Sequence, residues 1–173
     1  ARLEAELEPG APRPTWVEVE REVRLTLGEE EIWVQYLGVG HTDGDLVAYL
    51  PGRKLLVTGD QFLNGYEPVI DLKSGGDLRA MERMLERMLL LPFEHVVPGH
   101  GGMATRKEVE RMRDYLAQME REVQGMRQAG KGEDEVAKAV RLPGFELDSI
   151  PGSGREKVVR MMYRSLATLE HAP

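Results

Sequence analysis

The 173-residue sequence contains no cysteine. Disulfides, zinc–thiolate centres and cysteine nucleophiles are thereby excluded, leaving histidine and carboxylate as the strong metal ligands. Histidine is itself scarce: His41, His95, His100 and His171 are the whole supply of four. No apolar run approaches the ~20 residues of a membrane-spanning helix, so no membrane role is expected. Basic residues are outnumbered, 23 Lys and Arg against 30 Asp and Glu, for a net charge of −7. They are also interleaved with Glu rather than gathered on one face, which argues against nucleic-acid binding. No signal-peptide pattern is visible, and the expected location is cytoplasmic. The chain starts at Ala1 rather than Met. Residues 1–14, Glu-rich and then Pro/Gly-rich, read as the end of a preceding element and a linker.

What is present fits one globular domain with a sizeable core, at 41% hydrophobic and 31% charged residues. From Thr15 the apolar period is two, with Val17, Val19, Val23, Leu25 and Leu27 alternating with Glu18, Glu20, Glu22 and Arg24. That pattern predicts a half-buried strand or strand pair, a turn at Gly28-Glu29-Glu30 and a returning strand over Glu31–Leu37. A hairpin follows, Leu46–Leu50 and Lys54–Thr58 joined by Pro51-Gly52. Strands of about five residues advance at roughly 3.3 Å per residue, so His41, just before the first, and Asp60, just after the second, share one end. Val96-Val97-Pro98-Gly99-His100-Gly101-Gly102 repeats the motif of strand, glycine loop and polar side chain. A His, an Asp and a His on three strand-end loops can converge on a metal ion such as zinc, iron or manganese.

The remaining chain reads as support. Gln61–Gly76 is a long loop, and loops of that length are often functional; Tyr66 and Lys73 in it are the candidates for substrate contact. Asp77 caps a helix running to Leu91, ended by Pro92, and Phe93–Val97 is a strand, so this is a β–α–β passage and part of the sheet is parallel. Thr105-Arg106-Lys107-Glu108 is a capping box opening a helix with a seam at Val109, Met112, Leu116, Met119, Val123 and Met126, closed by Gly130. Further helices are predicted over Asp134–Arg141 and about Arg155–Glu170. The methionines at helical spacing read as core.

Gly40-His41-Thr42 with Asp45, then Thr58-Gly59-Asp60, then Pro98-Gly99-His100-Gly101, resembles the third, fourth and fifth motifs of the metallo-β-lactamase-fold hydrolases, in order and at similar spacing. The resemblance covers about residues 15–130; the last helix is similar to the C-terminal extension of the glyoxalase-like and broad hydrolase branch. It implies an α/β (α+β) fold, the second half of an αββα sandwich, with a mixed or antiparallel sheet over residues 15–130 and a C-terminal helical extension over 131–173. It also implies a dinuclear site, with His41 on one zinc, Asp60 bridging and His100 on the other. The reaction implied is hydrolysis of an ester, thioester, lactone or phosphodiester in a small-molecule substrate by metal-activated water.

One motif of that family, His-x-His-x-Asp-His, is missing, because no histidine precedes His41. The catalytic Asp that orients the attacking water has no counterpart here. Three explanations stand beside one another: a fragment of a complete hydrolase, half of a two-chain assembly, or a non-catalytic relative serving as an interaction and assembly module. A half-sandwich exposes an apolar face, and the expected cover is the missing N-terminal half or a second copy.

Overall fold

The computed structural model describes residues 18–151 and 153–169. The linker expected at 1–14, the strand residues before 18, Glu170 and His171 lie outside them. Strands β1 (Glu22–Leu27), β2 (Glu30–Gln35), β3 (Val47–Leu50), β4 (Leu55–Leu63), β5 (His95–His100) and β6 (Ala104–Thr105) form one six-stranded sheet in sequence order. Every pairing is antiparallel except β4–β5, which is parallel. Helix α1 (Leu78–Met88) makes the crossover that a parallel pair requires. Helices α2 (Arg106–Gln128), α3 (Glu133–Ala139) and α4 (Arg155–Leu169) follow. The sheet is therefore mixed, with α1 between β4 and β5 and the other three helices after β6.

Alternation along the strands sorts the sheet into two unlike faces. Trp33 pairs with Tyr49, Tyr49 with Leu56, Leu56 with Val96 and Val96 with Ala104, one register row across five strands. All but Trp33 are buried, in the same core as Met81, Met84, Leu85 and Met88 of α1 and Val109, Met112 and Leu116 of α2. The neighbouring row runs Val23, Val34, Ala48, Val57 and Val97. It is equally apolar, yet none of the five is buried. Val136 of α3 and Val158, Val159 and Met162 of α4 join the single core.

Helix boundaries follow their local chemistry. Asp77 caps α1 by accepting from the Ala80 amide at 2.7 Å. Thr105 and Glu108 form the expected capping box, with the Thr105 amide donating to Glu108 Oε2 at 2.7 Å. Gly130 follows α2 at φ 79°, the left-handed conformation that glycine enters without strain.

Three expectations are corrected. Asp60 lies inside β4, not after it, because Gly59 at φ 52° inserts a register shift and the strand resumes to Leu63. Gln61–Leu63 thus belong to β4 rather than to a loop, and Leu72–Ser74 form a short 3-10 turn. Strand β1 is more exposed than half-buried, with Leu25 at 44% and Leu27 at 74%, since it is the edge strand.

Candidate metal centre

Antiparallel β3 and β4 and parallel β4 and β5 bring the start of β3 and the far ends of β4 and β5 to one end of the sheet. His41, Asp60 and His100 meet there. His41 Nε2 is 3.8 Å from Asp60 Oδ2, and His100 Nε2 is 3.5 Å from Asp60 Oδ1. Both separations exceed the 2.7–3.2 Å of an N–H···O hydrogen bond. The carboxylate thus turns one oxygen to each imidazole, and among the described residues no group of three or more His, Asp or Glu closes on a single point.

The His41 ring is oriented from behind. Its Nδ1 lies 2.8 Å from the Val69 carbonyl oxygen, which only accepts, so Nδ1 carries the hydrogen. In neutral His41 the lone pair is then on Nε2 and faces a carboxylate oxygen. Two acceptors set against each other in this way can share a cation or a proton. Two ligands about 2.0–2.1 Å from a tetrahedral zinc stand roughly 3.3 Å apart, close to both observed separations. The donor set offers one imidazole and one carboxylate oxygen to each gap, the kind of ligands a divalent ion takes, and falls short of the three protein ligands of a catalytic zinc. Zinc, iron and manganese all accept such ligands.

Backbone packing sets these positions. The Asp45 carboxylate accepts from the Thr42 amide at 2.6 Å and closes the loop that carries His41. The turn after Ile70 is tied to that loop by three backbone bonds: Asp71 N to His41 O at 2.9 Å, Asp43 N to Ser74 O at 2.9 Å and Asp77 N to Gly40 O at 3.0 Å. A Cβ on Gly99 would strike Asp60 Oδ1 and the Gly59–Asp60 backbone, so glycine is required for β5 to approach the carboxylate.

Several supporting residues escaped the sequence reading. Gln61, 1% exposed, accepts from the His41 amide at 3.3 Å and donates to Gly38 O at 3.3 Å. Asn64 donates from its backbone to His100 O and from its side chain to Gly102 O, each at 3.0 Å. Glu67, also 1% exposed, pairs with Arg155 and Tyr115. No local period marks them: in Gln61-Phe62-Leu63-Asn64-Gly65-Tyr66-Glu67 two adjacent core residues, Phe62 and Leu63, break any alternation. Of the candidate substrate contacts, Tyr66 is half-buried and bridges to Asp148, and Lys73 is exposed on the 3-10 turn. His95 is exposed at the opposite end of β5 from His100.

Comparison with known proteins follows the same lines. A sequence profile described as Lactamase_B, the metallo-beta-lactamase superfamily, matches residues 2–100. Among solved structures, the double mutant S233Y F250G of the sec-alkyl sulfatase PisA1 superposes with a TM-score of 0.70 at 20% identity, over 89% of this chain and 27% of that one. The stereoselective inverting sec-alkylsulfatase Pisa1 from Pseudomonas sp. gives 0.68 at 18%, over 93% and 29%. A metallo-beta-lactamase from Pontibacter korlensis gives 0.51 at 22%, over 57% and 47%. The chain thus spans under a third of the sulfatase structures and under half of the lactamase. No curated protein sequence matches.

Proposed function

The chain belongs to the metallo-beta-lactamase superfamily, and from that premise we propose that it carries half of the metal centre of a hydrolase. The observation that supports this is Asp60, which turns one carboxylate oxygen toward His41 and the other toward His100. His41 Nε2 with Asp60 Oδ2 would hold one divalent ion, and His100 Nε2 with Asp60 Oδ1 a second, zinc being the preferred metal. When bound, such a pair supplies Lewis-acid polarisation of a substrate carbonyl or phosphoryl and lowers the pKa of water. The chain's own residues hold the ligands ready. Val69 fixes the His41 tautomer, Gln61 and Asp45 fix its loop, and Gly99 leaves room for Asp60.

Two protein ligands per ion fall short of the three that a catalytic zinc takes. The shortfall points to a further segment, and the open row Val23, Val34, Ala48, Val57 and Val97 is a surface for it. In this reading residues 15–130 are the second half of the sandwich and 131–173 its helical extension. The cover is the complementary N-terminal half or a second copy. The substrate is a small-molecule ester, thioester, lactone or phosphodiester; the described surface names none of these, since specificity lies in loops and not in the fold.

Metal analysis of the purified protein, beside an Asp60→Ala variant, tests this. Close to two equivalents of metal in the complete protein are expected, with metal and hydrolysis lost together in the variant. The hydrolysis panel is an ester, a thioester, a lactone, a phosphodiester and a secondary alkyl sulfate, the last taken from the sulfatase whose fold this chain shares. The same open apolar row favours a second reading, a non-catalytic assembly module. Absence of metal, with no effect of Asp60→Ala on any activity, would establish that reading instead.

A further inference from the structure

Asn64–Val69 touches both histidine segments, the ring of His41 and the backbone of His100. Its first residue anchors the His100 loop through two hydrogen bonds, and its last supplies the carbonyl that orients His41. Yet these residues follow the end of β4 and form no regular element of their own. Their support comes from residues 145–155, beyond the stretch that the family profile matches. Asp148 accepts from the Glu67 amide at 2.8 Å and donates to Gly65 O at 2.9 Å. Ser153 Oγ donates to Glu67 O at 3.2 Å. The Glu67 side chain, 1% exposed, receives Arg155 Nε at 2.5 Å on one oxygen and the Tyr115 hydroxyl on the other. Arg155 is itself tied to Phe145 O at 2.8 Å, and its guanidinium lies 5.2 Å from the Tyr115 ring centre.

From this we infer that Glu67, clamped by Arg155 and Tyr115, is a positioning residue for the metal-facing nitrogen of His41. The route is short: Arg155 and Tyr115 fix Glu67, Pro68 with its locked φ passes that constraint on, and Val69 presents its carbonyl to Nδ1. A carboxylate taken almost wholly out of water costs free energy unless paired and hydrogen-bonded, and such a pair adds little net stability over an apolar substitute. What it supplies here is one defined backbone path. Burial, then the charge of Glu67, pushes the Tyr115 phenol far above its ordinary value. Burial alone would lower Arg155, but its bond to Glu67 and the neighbouring Tyr115 and Glu67 charges outweigh that and raise it. The inference rests on the hydrolase reading only in taking His41 as a ligand.

Long-range 15N–1H correlation on the labelled, metal-free protein reads the His41 tautomer directly. The unaltered chain should show a protonated Nδ1 and an unprotonated Nε2 at His41. In Arg155→Met the two nitrogen shifts should move toward one another, and zinc affinity, titrated separately, should fall about 10–100-fold, the usual effect of losing support behind a ligand. Arg155→Lys, which keeps the charge but gives up the bond to Phe145, should restore part of the shift separation. Tyr115→Phe strands no buried charge and carries the test if Arg155→Met fails to fold; a smaller collapse in the same direction is expected. A folded Arg155→Met or Tyr115→Phe with unaltered His41 shifts would overturn the inference. If the complete protein binds no zinc the hydrolase reading fails, and the tautomer measurement still decides this one.

Discussion

The approach of β5 to Asp60 is a close geometric demand at the centre, and Gly99→Ala attacks it. A methyl group there would overlap Asp60 Oδ1 and lie 2.7 Å from Gly59 C and 2.8 Å from Asp60 N. Ordinary contact begins at 3.4 Å, so the β4 and β5 backbones must part by roughly 0.7 Å, an overpacking of the kind that costs about 1–3 kcal/mol. For a chain of this size each kcal/mol is worth about 2–4 °C in Tm, and the predicted fall is on the order of 2–12 °C. The displaced carboxylate would also lose its simultaneous reach to both imidazoles, so metal binding should weaken beyond what the thermal loss explains. Gly102→Ala is the matched control, because an added Cβ there meets nothing within 4 Å and the backbone φ is not in the left-handed region. Differential scanning calorimetry and zinc titration of both variants provide the assay. Equal Tm and equal zinc affinity for Gly99→Ala and the unaltered protein would refute the steric reasoning, as would Gly102→Ala losing as much as Gly99→Ala.

Two further predictions concern the scaffold. Thr105→Ala removes the hydroxyl that bonds Glu108 Oε2 at 2.6 Å and the Lys107 amide at 3.4 Å; a loss of about 1 kcal/mol is expected, read as a fall in Tm with zinc affinity unchanged. Glu82 has its carboxyl raised above the ordinary 4.5 by burial first, then by the charges of Glu120 and Glu86. A raised carboxyl binds its proton more tightly in the folded state, so its contribution is fully present below 4.5 and is lost as pH rises through the folded value. Glu82→Gln should therefore flatten that part of the Tm–pH profile and raise Tm at neutral pH, and an unchanged profile would count against the assigned causes.

Legibility followed the range of the interactions. The hairpin, the Thr105 capping box and the Asp77 cap are written in residues within a few positions of each other, and all were readable. That His41, Asp60 and His100 share one end of the sheet was readable too, because each sits in a short glycine-flanked motif at an expected strand end. Asp60's place inside β4 was not, since the register shift at Gly59 depends on pairing with β5 about forty residues later. Gln61, Asn64 and Glu67 were hidden for a related reason: each works through partners 20 to 88 positions away, and no local period marks them. The row from Val23 to Val97 is half-buried but for the exposed Val57, and its apolar alternation was readable strand by strand.

The missing ligands and the open face bear on each other. If a second copy covered the row, it would have to complete both ions from its own spare donors. His41 and His100 are already engaged with its own Asp60, and the remaining described histidine is His95, at the start of β5. His95 and His100 stand five residues apart on an extended strand, about 16 Å at roughly 3.3 Å per residue, so they mark opposite ends of the sheet. A copy that presented His95 to a neighbour's Asp60 would carry its own centre away from the shared edge, and one imidazole still leaves one of the two ions a ligand short of three. A segment of different sequence, bringing several histidines of its own, meets both needs at once. Under the function proposed above, the histidine count favours a complementary half over self-association as the cover of this face.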